Sequence, residues 1–588
     1  MNKYIIVYIL LLMFFFSNGY SQNYRIILDE KYEDWQNSSG ISDSGDVTSG
    51  LDLIRLKADN YDNFLFLLLK LNTEINLQND NNIILYIDTD NNPTTGFAIN
   101  GIGAELEYYF GTRKGIFHYN NTENYIKHKD IGIVTLPTVT STIFEMELDL
   151  NSAINGIKIF QDSLLHIVVK NDIPDGDIIP DNTNGFEYKL SQTSPQINVS
   201  YSINKTNKNH LRIISYNIER DRLFLDANKE AHKRIFKATQ PDIIGFQEIY
   251  KHTAEETANL IEEFLPSSGE EKWYYSSTES DIKVVSRFPI KQSFAIDGNS
   301  AFLIDMTNKY NCSLLFIDAH PPCCNNNDAR QKEIDHFISF IREAKKDGGN
   351  LTLDKNTPIV IVGDMNLVGF KEQQTTLITG NIINNDLYGE PFLPDWDNTF
   401  LQDSKPLTTN MPATFTWYDE GSSYNPGRLD YVVFTNSVMK TVNNYVLFTR
   451  ALPQDTLTQY NLQSNDVTAV ADHLPVIVDF ELLPTVSVKT ETQNGVKKFS
   501  LMQNYPNPFN PITIIRYSIP ETTNSAVVNV TLKVFDTLGR EIVTLVNKTE
   551  KAGNHSVKFN GAKFPSGIYY YRLTTAGYSE TKKMVLLK

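Results

Sequence analysis

Six apolar strands in the middle of the sequence each carry a polar residue at one end, and this pattern constrains the fold most. From Leu211 to about Leu483, such strands alternate with helical segments over 227–239, 254–264 and 329–346. This alternation predicts an α/β domain. The strand-end residues are carboxylates, carboxamides or imidazoles, namely Asn217, Glu219, Glu248, His320, Asp364, Asn366, Asp430, Asp472 and His473.

If these strand ends meet, the sequence places five carboxylates, two imidazoles and two amides in one site. Carboxylates packed together repel one another unless a cation neutralises them. Oxygen-rich ligand sets favour a hard divalent ion, with Mg²⁺ as the first candidate and Mn²⁺ or Ca²⁺ as alternatives. Such an ion beside imidazole and amide groups is suited to phosphoryl transfer.

The ordered motifs N-x-E, Q-E, H, G-D-x-N, R-L-D-Y and D-H resemble the endonuclease/exonuclease/phosphatase superfamily. Its members include DNase I, abasic-site endonucleases, neutral sphingomyelinases and inositol-phosphate phosphatases. The segments Val284–Ile290 and Thr414–Tyr431 also fit the family. The resemblance implies a four-layer α/β sandwich of the DNase I type over residues 208–483. It also implies in-line attack of an activated water on a phosphoester, without a covalent enzyme intermediate.

The resemblance assigns metal-binding roles to the first and last motifs. Glu248 corresponds to the main metal-ligand glutamate of the family. Asn217 and Glu219 correspond to the pair that helps to hold metal and phosphate. Asp472 would be a further ligand of the metal or of water.

The resemblance assigns catalytic roles to five other residues. Asp364 corresponds to the residue that orients or deprotonates the attacking water, and Asn366 to its partner. His473 corresponds to the imidazole that touches the scissile phosphate, as base or as electrostatic stabiliser, and Asp430 would orient it. His320 corresponds to the position that binds a phosphate oxygen or protonates the leaving group.

The loop after His320 contains adjacent cysteines, Cys323 and Cys324, which we expect to shape substrate choice. The chain has only three cysteines, too few for a disulfide scaffold. After export, Cys323 and Cys324 could form a vicinal disulfide, or one of them could form a disulfide with Cys312. A thiolate ligand does not suit a site of hard oxygen donors.

Charge narrows the substrate class. The chain has a formal net charge of −17 and a pI near 5.1, and the central region is itself acidic. Binding of duplex DNA usually requires a basic stripe. The sequence therefore favours a general phosphodiesterase or phosphatase, with an extracellular endonuclease acting on DNA or RNA as the alternative. A surface carbohydrate-binding or adhesive protein is the second alternative.

Residues 22–200 predict an all-β sandwich, because short apolar runs are separated by Asn, Asp and Gly clusters. The segments Arg25–Gln36, Leu85–Phe97 and Gly103–Phe110 resemble carbohydrate-binding and DOMON-like sandwiches, which implies a glycan as a candidate partner. Asp88, Asp90 and Asn92 alternate in a turn and could bind Ca²⁺, or the turn could be capped by these side chains alone.

The N-terminus predicts an export signal. Lys3 precedes an apolar run from Tyr4 to Phe16, and small residues follow up to Ser21. This pattern indicates a signal peptide over residues 1–21, and the run is shorter than the ~20 residues of a membrane span. A retained anchor is the alternative. The signal peptide predicts that no stable membrane span remains after processing.

The C-terminus predicts a second export device after a polar linker over residues 484–498. Residues 499–588 contain short strands with Gly, Pro and Asn turns, which predict a small β-sandwich. The segments Leu501–Pro520, Val534–Asn547 and Pro565–Lys588 resemble the type A sorting domain of the type IX secretion system. The resemblance implies contact with the secretion machinery and a secreted or cell-surface location. An immunoglobulin-like spacer is the alternative.

Overall fold

The computed structural model describes residues 20–43, 50–182, 184–192, 194–195, 197–269, 271–349, 351–483, 499–504, 507–520, 527–575 and 577–587. All but two residues of the expected signal peptide, and the whole of the expected 484–498 linker, lie outside these ranges. The chain divides into two compact units, residues 1–485 and 486–588.

In its described residues, the first part of unit one is almost entirely β-structure, with one short α-helix, α1 (His128–Ile131). Its strands are β1 Tyr20–Tyr24, β2 Ser39–Ser42, β3 Leu53–Tyr61, β4 Phe64–Ile75, β5 Ile83–Asp88, β6 Phe97–Ile99, β7 Ile102–Ala104, β8 Leu106–Tyr109, β9 Lys114–Tyr119, β10 Thr122–Ile126, β11 Val134–Leu136, β12 Ser141–Asp149, β13 Ala153–Ile154, β14 Ile157–Lys158, β15 Leu164–Asn171, β16 Ile178–Ile179, β17 Phe186–Lys189 and β18 Ile197–Tyr201.

Two antiparallel sheets of this part pack face to face. One sheet has the order β10-β9-β8-β5-β15-β16, with β17 also paired to β15, and the other has the order β11-β12-β4-β3-β2. Alternate residues of β4 and β5, such as Leu67 and Leu85, fill the core between the sheets. We call this part the N-terminal sandwich.

The outer face of the second sheet is also buried. Phe66 and Leu68 of β4 share a hydrophobic core with Ala413 and Phe415 of the central part. Because strand residues alternate between faces, β4 is apolar on both sides and reads as a continuous hydrophobic run. The N-terminal sandwich and the central part are therefore held together by a common core.

The central part contains two six-stranded sheets. Their strands are β19 Leu211–Asn217, β20 Ile243–Gln247, β21 Tyr274–Ser276, β22 Lys283–Ser286, β23 Ile290–Ile296, β24 Asn299–Asp305, β25 Ser313–Ala319, β26 Ile359–Asp364, β27 Gln402–Asp403, β28 Asp430–Phe434, β29 Met439–Val446 and β30 Val476–Leu482. The sheet orders are β21-β22-β20-β19-β30-β29 and β23-β24-β25-β26-β28-β27.

Helices flank the two sheets. They are α2 Asp226–Thr239, α3 Ala254–Phe264, α4 Thr307–Tyr310, α5 Asn327–Ala344, α6 Lys371–Thr379, α7 Asn385–Tyr388 and α8 Gln454–Tyr460. The expected helices over 227–239, 254–264 and 329–346 are confirmed to within two residues at each end. Phe236 of α2 packs edge-on against Phe246 of β20, with ring centroids 5.9 Å apart.

The sheets meet through their inner faces. Phe434 of β28 contacts Phe480 of β30, with ring centroids 4.9 Å apart. Gly245 is required at one close approach, because an added Cβ would lie 2.7 Å from Asp318 Oδ2. On the outer face of the second sheet, Ile338 of α5 shares a core with Ile361. The order is thus helices, sheet, sheet, helices.

Strand direction gathers the polar strand ends at one edge. β19 and β20 are parallel, and so are β25 and β26. β28 runs antiparallel to β26 and pairs its first residue, Asp430, with Asp364. β30 runs antiparallel to β19, with Val476 opposite Ser215, so the preceding residues reach the same edge.

The second unit is a small β-structure of two sheets. Its strands are β31 Ser500–Leu501, β32 Ile512–Ile519, β33 Val527–Phe535, β34 Glu541–Lys551, β35 Gly553–Asn560, β36 Gly567–Thr575 and β37 Tyr578–Leu586. The sheet orders are β31-β32-β35 and β34-β33-β36-β37. Alternate apolar residues, including Tyr517, Leu532 and Tyr571, form its core.

Candidate active site

Three of the strand-end residues adopt an unusual backbone conformation. Glu219, Glu248 and Asn366 have φ values of 47°, 66° and 49°. Positive φ costs energy for residues other than glycine, and such positions cluster at functional sites. Here the conformation follows directly after β19, β20 and β26, where each chain leaves its sheet.

Asp364 lies at the centre of the site. Its Oδ2 accepts hydrogen bonds from Asn217 Nδ2 at 3.1 Å and from Asn366 Nδ2 at 3.2 Å. The Nε2 atoms of His320 and His473 lie 3.6 and 3.5 Å from the same oxygen. The residue is only 2% exposed. One buried carboxylate oxygen is therefore surrounded by two amides and two imidazoles.

Glu248 adjoins this centre on the side of β20. Its Oε1 accepts a hydrogen bond from Asn217 Nδ2 at 3.1 Å, and its Oε2 accepts one from the Arg220 amide at 3.0 Å. His320 Nε2 lies 4.0 Å from Oε1. The amide of Asn217 thus bridges Glu248 and Asp364.

Each imidazole is held by a second carboxylate. His473 Nδ1 lies 2.8 Å from Asp430 Oδ2, and His320 Nδ1 lies 2.7 Å from Asp281 Oδ2. A hydrogen bond at Nδ1 fixes the ring orientation and leaves Nε2 directed at Asp364. The site therefore contains two carboxylate–imidazole pairs facing one carboxylate.

The carboxylates favour the protonated imidazoles. Burial lowers the pKa of His473, but the Asp430 and Asp364 carboxylates outweigh it and raise the pKa to about 10. Burial also lowers the pKa of His320, and the hydrogen bond to Asp281 with the charge of Asp364 raises it to about 9. Both imidazoles are thus arranged to carry positive charge at neutral pH.

Glu219 and Asp472 lie beside this centre. Glu219 Oε2 accepts a hydrogen bond from the Asp472 amide at 3.2 Å, and its Oε1 lies 2.7 Å from Arg222. Asp472 Oδ2 accepts a hydrogen bond from Trp417 Nε1 at 3.1 Å. Burial raises the pKa of Glu219, and the nearby Asp472 carboxylate raises it further.

Asp364, Asp430 and His473 have ligand atoms within 4.8 Å of one another, a spacing that could suit a cation. However, the Nδ1 atom of His473 already bonds to Asp430. The His473 imidazole therefore lies between the two carboxylates, and its positive charge offsets part of theirs. We interpret the three as a hydrogen-bonded relay rather than as a set of metal ligands.

The cysteine loop is connected to this centre. Cys323 and Cys324 are disulfide-bonded to each other and exposed, whereas Cys312 is a free, partly buried thiol. Asn366 Nδ2 donates to the Pro321 carbonyl at 3.0 Å. The buried Arg330 donates to the Cys324 carbonyl at 3.2 Å. The loop is thus attached to a residue that contacts Asp364.

The remaining predicted site residues lie elsewhere. Asp88 ends β5 of the N-terminal sandwich, and Asp90 and Asn92 follow in the turn before β6.

Comparison with known families identifies two segments of the chain. Residues 214–448 match the Endonuclease/Exonuclease/phosphatase family, and residues 503–587 match the secretion system C-terminal sorting domain. The chain carries an endonuclease/exonuclease/phosphatase (EEP) domain. Members of this family hydrolyse phosphoester bonds, often with a divalent metal ion. The sorting domain indicates type IX export to the cell surface or the medium.

Solved structures show distant similarity. An endonuclease/exonuclease/phosphatase from Beutenbergia cavernae is 14% identical, with 64% of this chain and 100% of that chain covered and a TM-score of 0.30. ANGEL2, a 2',3'-cyclic phosphatase, is 14% identical, with 46% and 96% covered and a TM-score of 0.30. A beta toxin variant from Staphylococcus aureus with bound magnesium ions is 13% identical, with 46% and 99% covered and a TM-score of 0.25. No curated protein matches the chain.

Several residues of the EEP site were not found from the sequence. Asp281 pairs with His320, Trp417 with Asp472, and Thr416 Oγ1 accepts the Asp430 amide at 2.9 Å. Asp281 lies in a turn 39 positions before His320 and has no regular spacing to it. Trp417 and Thr416 lie in the Thr414–Tyr431 segment, which matched the family without giving their partners.

The N-terminal sandwich supports loops of the EEP site. Thr138 Oγ1 donates to the Leu367 carbonyl at 2.8 Å, next to Asn366. His128 Nε2 donates to the Asp419 carbonyl at 2.9 Å, in the loop that follows Trp417. These contacts reach the chain next to Asn366 and in the loop after Trp417.

Among the described residues, no helix is long and apolar enough to cross a membrane.

Proposed function

We propose that the EEP domain is a metal-dependent phosphoester hydrolase in which Asp364 acts on the attacking water. The observation that supports this most is the surrounding of Asp364 Oδ2, which two imidazole Nε2 atoms and two amides approach within 3.6 Å. A buried carboxylate with charged donors on several sides can orient a water and accept its proton. The same donors can hold the negative charge of a phosphoryl group.

The residues present fit a hard divalent ion beside this centre. Glu248 is the first candidate ligand, with Asn217, Glu219 and Asp472 as neighbours, and all of them offer oxygen donors. Burial and the Asp472 and Glu248 carboxylates raise the pKa of Glu219, and Arg222 opposes this. A cation here would neutralise the remaining carboxylate charge. When bound, Mg²⁺ supplies charge that polarises the phosphoester and offsets charge in the transition state.

The two imidazole pairs suit different tasks. His473, held by the fully buried Asp430, is positioned to donate from Nε2 to a non-bridging phosphate oxygen. His320, held by the more exposed Asp281, is positioned to donate to the leaving oxygen. The neighbouring carboxylates stabilise the protonated form of both imidazoles, so each can donate a proton during the reaction. Asn217 and Asn366 keep the Asp364 carboxylate in position between them.

The preferred substrate class is a phosphodiester or phosphomonoester outside the cell. The acidic charge of the chain does not favour tight binding of duplex DNA. The disulfide loop lies one hydrogen bond from Asn366, so it borders the space available to the substrate. An extracellular nuclease is the alternative outcome of the same assay.

The test compares three substrates with the full exported protein in Mg²⁺: bis-p-nitrophenyl phosphate, p-nitrophenyl phosphate and plasmid DNA. The expected result is hydrolysis of a p-nitrophenyl ester that falls by about 10²-fold or more in His473→Gln and His320→Gln. Asp347→Asn, a change on an exposed turn residue of the same domain, is the control. Plasmid cleavage above ester turnover would favour the nuclease. Unchanged turnover in both histidine variants would contradict the proposal.

A further inference from the structure

A second acidic cluster lies in the N-terminal sandwich, away from the residues of the EEP site. Asp88 ends β5, Asp90 follows in the turn, and Glu105 lies between β7 and β8. One carboxylate oxygen from each of the three lies within 4.8 Å of the other two. Two of the residues are almost completely buried, Asp88 at 1% and Glu105 at 2% exposure.

One oxygen of this cluster has no hydrogen-bond partner. Glu105 Oε2 accepts the Thr89 amide at 2.9 Å, but within the described part of the chain Oε1 is buried and receives no hydrogen bond. An ionised oxygen buried without a partner costs several kcal/mol, so proteins pair such oxygens or place them against metal ions. The unpaired oxygen is an observation separate from the clustering of the acids.

Positive side chains do not compensate the cluster. None of the ion pairs found among the described residues includes Asp88, Asp90 or Glu105. The cluster lacks the counter-charge that two imidazoles supply in the EEP site.

The turn that carries Asp90 packs against the chain just before Glu105. Gly96 has a φ of +64°, and an added Cβ there would lie 2.4 Å from the Ala104 carbonyl. The turn therefore contacts the chain just before Glu105 with no room for a side chain. Asn92 is the third residue that the sequence offered for a Ca²⁺-binding turn. Its Oδ1 accepts hydrogen bonds from Thr94 N and Thr94 Oγ1, at 3.1 and 2.8 Å. Glu105 was not among the residues that the sequence offered.

We propose that Asp88, Asp90 and Glu105 bind a Ca²⁺ ion. Ca²⁺ takes six to eight oxygen ligands at about 2.3–2.6 Å in flexible geometry. One oxygen from each of the three acids lies within 4.8 Å of the other two, so the three can share one ion. Asp90 is partly exposed, which leaves access for water to complete the ligand set.

The ion would join parts of the sandwich that are separate in sequence. Asp88 and Asp90 belong to the end of β5 and its turn, whereas Glu105 belongs to the β7–β8 connection. Such a cross-link stabilises the folded state by an amount that grows with the ion concentration. The sorting domain indicates export, and extracellular calcium modules bind in the 10⁻⁴–10⁻³ M range. The ion would thus stabilise the protein after it leaves the cell.

The test measures thermal unfolding of the exported protein after removal of metals with EDTA. Mg²⁺ is held constant at about 5 mM to supply the EEP site, and Ca²⁺ is added in increasing amounts. The expected result is a rise in the unfolding midpoint of about 2–4 °C that saturates with one Ca²⁺ bound per chain, measured by calorimetry.

Two variants make the test specific. Asp90→Asn and Glu105→Gln should both remove the Ca²⁺-dependent rise, whereas Glu187→Gln, an exposed change in the same sandwich, should keep it. Asp364→Asn should also keep it, which separates this ion from the EEP metal. Asp90 lies in a turn, so its variant folds even if Glu105→Gln does not. The proposal is overturned if the wild type shows no rise, or if both variants retain the full rise.

Discussion

The EEP domain and the N-terminal sandwich each bring carboxylates from separate chain segments together, but only the EEP cluster contains imidazoles. In the EEP domain, His473 lies 3.5 Å from Asp364 and 2.8 Å from Asp430. In the sandwich, Asp88, Asp90 and Glu105 have no basic partner among the described ion pairs. We therefore expect imidazoles to offset carboxylate charge in the EEP site, and the proposed Ca²⁺ to offset it in the sandwich.

Glu147 shows a third way to bury a carboxylate. It lies on β12 at 0% exposure, and within the described residues neither of its side-chain oxygens has a hydrogen-bond partner. Burial raises its pKa to about 8, so it stays protonated at neutral pH. The molecule thus compensates buried acids by imidazole, by the proposed cation or by protonation.

The largest expected effect is the loss of hydrolysis in Asp364→Asn. The amide cannot accept a proton from water, so kcat should fall by about 10³-fold, while the Ca²⁺-dependent stabilisation of the sandwich remains. Steady-state assays with a p-nitrophenyl ester, beside Asp347→Asn, measure the fall. Equal activity in the two variants would show that the imidazole-containing cluster is not the catalytic one.

The next effect compares the two imidazole pairs. Asp430→Asn should reduce kcat by about 10²-fold, because Asp430 is fully buried and orients His473. Asp281→Asn should reduce it by about tenfold, because the Asp281 side chain is 15% exposed and water can replace it. Rate profiles against pH distinguish loss of orientation from loss of folding. A larger fall in Asp281→Asn than in Asp430→Asn would reverse the assigned roles.

Glu105→Gln tests the proposed Ca²⁺ site in the N-terminal sandwich. This variant should lose the stabilisation by Ca²⁺, about 2–3 kcal/mol at 100-fold excess over the dissociation constant, because one ligand oxygen is replaced. Its kcat should stay within about twofold of wild type, because no reacting group is changed. Denaturant unfolding with and without Ca²⁺ measures the first value. A large loss of kcat with unchanged Ca²⁺ stabilisation would mean that Glu105 acts in catalysis and does not bind Ca²⁺.

The last effect concerns Glu147. Its pKa is about 8 in the folded protein against a usual 4.5, so the folded state holds one more proton than the unfolded state between these values. The free energy of unfolding should therefore fall as pH rises from about 4.5 to 8. Glu147→Gln should flatten this dependence by up to about 3 kcal/mol between pH 5 and pH 8. Unfolding curves at pH 5 and pH 8 test it, and an unchanged slope would mean that Glu147 is ionised.

Much of the EEP site could be predicted because its residues stand at strand ends in a fixed order. Asn217, Glu248 and Asp364 follow apolar runs whose parallel pairing brings their ends together. Asp281 and Glu105 could not be predicted, because they reach the two sites from turns that packing places there. The segment Tyr201–Lys208 is polar and rich in Asn and Lys, which predicts a linker, but its first three residues are buried.

Removal and return of the metal ion test the proposed metal-dependent hydrolysis most directly. The exported protein is dialysed against EDTA and assayed with bis-p-nitrophenyl phosphate and p-nitrophenyl phosphate before and after addition of Mg²⁺. Turnover should be absent in EDTA and should return with Mg²⁺. Turnover that persists in EDTA, or folded protein that stays inactive with Mg²⁺, Mn²⁺ and Ca²⁺, would contradict it.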